Sequence, residues 1–63
     1  MTPVEKARAR RLAHSIVRRA ERTYPEDPHS GVDFLLEEAL TMSDFTIDHE
    51  SEVQRQLALL GYF

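Results

Sequence analysis

Residues 3–24 read PVEKARARRLAHSIVRRAERTY, and this stretch decides the fold. It contains no glycine and no proline beyond its first residue. It is rich in alanine and arginine, both strong helix formers. At about 100° per residue, Ala9, Leu12, Ala13, Ile16, Val17, Ala20 and Tyr24 form one apolar stripe. Thr2 is placed to cap this helix and Pro3 suits its first position. Glu5, three residues after Thr2, completes a capping box. The reading is a long N-terminal helix over about 3–24.

Working outward, residues 25–29 read PEDPH, and two prolines so close end the helix. A second helix is expected over about 31–42, capped by Ser30 with Asp33 three residues on. Val32, Leu35, Leu36, Ala39, Leu40 and Met42 share one face, Asp33, Glu37 and Glu38 lie away from its centre, and Phe34 falls on the polar side. Ser43 and Asp44 break the pattern, with Phe45 and Ile47 anchoring the connection. A third helix is expected over about 49–60. Asp48 is its cap, and Glu50 and Glu52 sit where the helix dipole favours anions. Val53, Leu57 and Leu60 would face the core. Gly61 suits the left-handed residue after the helix, letting Tyr62 fold back on Leu57. The expected fold is all-α: one domain over 1–63, a small three-helix bundle with a long N-terminal helix.

A chain of 63 residues buries only about 60% of the surface it exposes when unfolded, so its core is thin. Chains this small usually need a staple. With no cysteine, disulfides and thiolate zinc sites are excluded, which leaves self-association or docking on a larger protein. The start, Met1-Thr2-Pro3 and then a charged helix, does not resemble a signal peptide, and no apolar run is long enough to span a membrane. The expectation is a cytoplasmic protein.

The formal charge of −3 hides an asymmetry. Residues 1–25 carry seven bases against Glu5 and Glu21, a net +5, whereas residues 26–63 carry Arg55 against nine acids, a net −8. Arginine outnumbers lysine seven to one. A GC-rich genome would account for that, as would a need for arginine's planar, bidentate donor geometry. On the first helix Arg8, Arg11, Arg18 and Arg22, with Ser15 between them, follow steps of three and four, and Arg19 lies beside them. Together they span an arc of roughly 100° opposite the apolar stripe.

Such a ridge docks on an acidic protein groove or tracks phosphates; the plainer alternative is a solvated face balanced by the acidic half. Nucleic acid ranks below protein, because the chain is acidic overall, with a pI of about 5.5, and the ridge lacks stacking aromatics. A helix-turn-helix is disfavoured too, since Asp48, Glu50 and Glu52 would aim carboxylates at phosphates. The acidic half suggests a surface imitating nucleic acid to occupy a basic groove, but its nine acids are spread along the chain, and an ordinary solubilising surface is the favoured reading. A second candidate surface is apolar: Phe34, Leu59, Tyr62 and Phe63, of which Tyr62 and Phe63 have folding inward as the alternative.

Signals for chemistry are weak. His14, His29 and His49 are far apart, and no pair has the helical spacing of a zinc site. Asp44, Asp48, His49 and Glu50 cluster, but the stretch does not match a calcium loop, which needs a turn glycine and a terminal glutamate at fixed positions. Ser15, Ser30, Ser43 and Ser51 have no base positioned by sequence, and nothing requires a cofactor or metal. The sequence therefore reads as a non-catalytic interaction protein that occupies a surface of a larger protein or complex. An inhibitor or accessory factor from a phage or other mobile element is one form of it. A nucleic-acid-associated subunit using the arginine ridge and a self-assembling, homo-oligomeric structural subunit are the alternatives.

Overall fold

The first helix starts as its capping sequence dictates. The Thr2 hydroxyl oxygen accepts the Glu5 backbone N–H at 3.2 Å, and Pro3, which has no N–H to satisfy, follows it. The hydroxyl donates in turn to the Glu5 carboxylate at 3.2 Å. In the computed structural model, which describes residues 2–42 and 47–62 and, of Ile47, the backbone alone, three helices follow: α1 (Pro3–Thr23), α2 (Pro28–Met42) and α3 (Ile47–Leu59). The expected all-α bundle with a long first helix is the observed fold. At 1.5 Å per residue, α1 runs about 32 Å, which accounts for most of the molecule's 35 Å long axis.

Helix α1 is the spine, packed against both α2 and α3, while those two meet each other far less. Its inner face is mostly alanine: Ala9, Ala13 and Ala20 are fully buried beside Ile16. Side chains this small let neighbouring helices approach closely. The larger side chains come from the other two helices, Val32, Leu35 and Leu36 from α2 and Val53 and Leu57 from α3. Leu12, Val17, Leu40 and Tyr62 are packed around them. Burying each Val or Leu stabilises the fold by about 1.5–3 kcal/mol.

Helix α2 begins earlier than the sequence suggested. The expected start at residue 31 with Ser30 as cap is replaced by a start at Pro28, with Asp27 capping. The Asp27 Oδ1 accepts the Ser30 backbone N–H at 3.4 Å, and the Ser30 hydroxyl also bonds to this carboxylate. Pro28 opens the helix rather than preventing it, because a first-turn residue has no intrahelical partner for its N–H. The side-chain bond from Ser30, then its backbone bond, and the nearby His29 hold Asp27 below the usual carboxylate range. Four residues on, Gly31 is buried under the Tyr24 ring. A Cβ there would lie 2.6 Å from Tyr24 Cδ2 and 3.1 Å from its Cβ.

The end of α3 is fastened by backbone geometry. Gly61 adopts a φ of +89°, its N–H bonds to the Ala58 carbonyl at 3.0 Å, and the Tyr62 N–H reaches the Leu57 carbonyl at 3.0 Å. This pair of bonds is the Schellman motif, and it turns Tyr62 back onto the core. There the Tyr62 ring stacks at a tilt against His29, centroids 4.9 Å apart, with its hydroxyl facing Glu21. One residue thus touches all three helices at one end of the bundle, so the chain runs up, down and up.

Three expected core residues lie outside the core. Leu60 is 36% exposed, because the helix ends at Leu59 and the turn carries Leu60 away from the line of Val53 and Leu57. Tyr24 is 38% exposed, its ring lying over Gly31 at the bundle's edge. Met42, the last residue of α2, is 79% exposed. The readings made for Ser43, Asp44, Phe45 and the Ile47 side chain lie outside the described residues.

Candidate functional site

The packing of α1 determines where its charges go. With Ala9, Ala13, Ile16 and Ala20 turned inward, the opposite arc faces solvent, and Arg8, Arg11, Arg18, Arg19 and Arg22 are all exposed on it. Among the described residues, no ion pair joins any of these guanidiniums to a carboxylate. Among the described acids of the second half, Asp27 caps α2, Glu52 accepts a bond from Gln56, and Asp33 and Glu37 are exposed.

The arginine side chains enclose a shallow, open groove of about 500 Å³, lined by Arg10, Arg11, His14, Ser15, Arg18, Arg19 and Arg22. Every lining residue belongs to α1. Ser15 is the smallest of them and forms the low point, with Arg11, Arg18 and Arg19 three or four residues away on either side. Arg10 and His14 widen the basic surface beyond the ridge read from the sequence, whereas Arg8 belongs to the row but not to the groove. Counting steps of three and four finds a line along the helix and overlooks the adjacent column, one residue back, that forms the groove's other wall.

Beside it lies a smaller groove of about 140 Å³ between α1 and α2. Leu12, Ile16, Leu35 and Ala39 form its floor, and Ser15, Arg19, Glu38 and Met42 its rim.

The candidate apolar surface is divided by the structure. Phe34 is 57% exposed, its edge against Tyr24 with centroids 6.5 Å apart, and Leu59 is 73% exposed at the end of α3. Tyr62 is turned inward as the pivot of the three helices, so it is not on one surface with Phe34 and Leu59. Burial first, then the charge of Glu21 and a hydrogen bond to it, raise the Tyr62 phenol above its usual range. Phe63 lies outside the described residues.

No family model, curated protein or solved structure matches this chain. The site is therefore read from its own chemistry. Among the described residues, no three histidine, cysteine or acidic side chains come together as a metal would need. No helix is long and apolar enough to cross a membrane. What the arrangement offers is a row of planar, bidentate hydrogen-bond donors on one rigid helix, spaced to receive several carboxylates or other oxyanions at once.

Proposed function

We propose that this chain is a non-catalytic interaction protein that docks the arginine face of α1 on an acidic surface of a larger protein or complex, as an accessory or inhibitory subunit does. The observation that carries this reading is the exposure of five aligned arginines without an ion pair among the described residues, in a chain with eleven acids. Like charges at these spacings, such as Arg18 with Arg22 and Arg8 with Arg11, each destabilise a helix by about 0.2–0.5 kcal/mol. An acidic partner turns that repulsion into attraction, and the guanidinium geometry allows bidentate hydrogen bonds to its carboxylates.

The test is recovery of the tagged chain from the cells that produce it, with bound protein and nucleic acid identified together, beside an Arg11→Glu/Arg18→Glu variant. A defined protein partner is expected, with affinity for the variant lower by about a hundredfold or more, since charge reversal places repulsion where attraction was. Nucleic acid would betray itself by salt. Five phosphate contacts weaken binding by roughly several hundredfold between 50 and 200 mM. A partner bound equally well by both forms would refute the reading.

A further inference from the structure

We infer that the docking surface is composite, and that the α1–α2 groove takes one large apolar side chain from an acidic helix lying along the arginines. This rests on the reading above and specifies the partner's chemistry. The observation behind it is shared lining: Ser15 and Arg19 border both the arginine groove and the smaller groove, so the two are one continuous surface. The smaller groove's floor is apolar, with Ile16 and Leu35 belonging to the core and Leu12 and Ala39 half-buried. Its volume of about 140 Å³ is close to that of an engineered cavity of about 150 Å³ known to hold benzene, so a leucine or phenylalanine side chain fits. Met42 forms an exposed, adaptable lip.

Charge sets the orientation of the occupant. Arg19 stands on the α1 rim and Glu38 on the α2 rim, so an acidic helix is drawn to the α1 side and repelled on the other. Its anchor then descends between Arg19 and Glu38 while its carboxylates meet Arg11, Arg18 and Arg22. This is the helix-in-groove mode of recognition, with a single anchor.

The probes are synthetic: a glutamate-rich amphipathic helix bearing one leucine, the same peptide with alanine in place of that leucine, and a single-stranded oligonucleotide. Fluorescence anisotropy at physiological salt gives the affinities. The leucine peptide is expected to bind at least about tenfold more tightly than the alanine peptide. Ala39→Met, which fills the groove, should abolish that difference and leave the weaker, charge-driven binding. Met42→Glu, at an exposed position, provides a second variant, with helical content checked by circular dichroism. Equal binding of the two peptides, or binding of the oligonucleotide alone, would overturn the inference. So would a dimer in sedimentation that Ala39→Met dissociates, because a second copy would then occupy the groove. If Arg11→Glu/Arg18→Glu loses the cellular partner while Ala39→Met and Met42→Glu keep it, the groove is wrongly assigned and the arginine face stands.

Discussion

The two faces of α1 are made from the same helix and treated in opposite ways. Inside, Ala9, Ala13 and Ala20 are fully buried, and beside them Val32, Val53 and Leu57 fill the space they leave. Outside, five arginines stand exposed with no ion pair among the described residues. The inner face is specified by shape, and a methyl group more or less is felt there. The outer face is specified by charge, and folding uses little of it. The contrast separates what holds the molecule together from what remains available to something else.

The contrast breaks most readily from the inside. Leu57→Ala should cost about 2–5 kcal/mol, against a total stability of roughly 3–9 kcal/mol for a domain of this length. Chemical denaturation followed by circular dichroism would show a largely unfolded chain or a sharply lower midpoint. A shift of less than about 1 kcal/mol would mean that this core position does not hold the fold.

Gly31→Ala comes next. Alanine is the better helix former, by about 1 kcal/mol, yet its Cβ would meet the base of the Tyr24 side chain at 2.6–3.1 Å. Overpacking of this kind typically costs about 1–3 kcal/mol, so a net loss of stability is expected. A higher melting temperature would show that the Tyr24 ring moves aside freely.

Smaller effects come from titration at the same end of the bundle. Asp27 is held below its ordinary value of 3.8, so the native state favours the ionised cap. Its contribution is complete above that pH and is lost as pH falls through the lower, folded value. Tyr62 is raised above its ordinary 10.0, so the native state favours the neutral phenol, and stability should fall as pH rises beyond 10. Asp27→Asn and Tyr62→Phe should flatten the acid and alkaline limbs respectively in melting curves recorded across pH.

The smallest expected effect sharpens the contrast from outside. Arg11→Glu/Arg18→Glu should move the melting temperature by no more than a few degrees, because among the described residues neither arginine is held in an ion pair. A large loss would mean that the acidic half depends on these arginines for folding, and the two faces would no longer be separable.

Much of this was legible in the sequence because it is local. The Thr2–Pro3–Glu5 cap, the alanine stripe and the Gly61 turn depend on residues within a few positions of one another. What escaped depends on chain direction. The pair of prolines at 25 and 28 reads as an interruption, yet Asp27-Pro28 is a helix start, since proline at that position and proline inside a helix differ only in register. Leu60 continues the apolar period, but the helix stops one residue before it. At the candidate site, the exposure of Arg8, Arg11, Arg18, Arg19 and Arg22 follows from the alanine stripe opposite. The α1–α2 groove does not, because it requires Ala39 and Met42 to be brought beside Leu12 and Ser15 by tertiary packing.

That α2 and α3 lean on α1 far more than on each other has a consequence for amide exchange. Either outer helix can detach while the other stays docked, so its amides have a sub-global route to deuterium. Those on the inner side of α1 have only the route in which both neighbours leave. Protection should therefore be greatest along Ala9–Ala20 and lower in α2 and α3. A ligand gripping α1 alone would slow only the openings in which α1 itself comes apart, and would leave independent undocking of an outer helix at its original rate. A ligand bridging α1 and α2 would slow exchange in α2 and spare α3, and the amide pattern alone would tell the two apart.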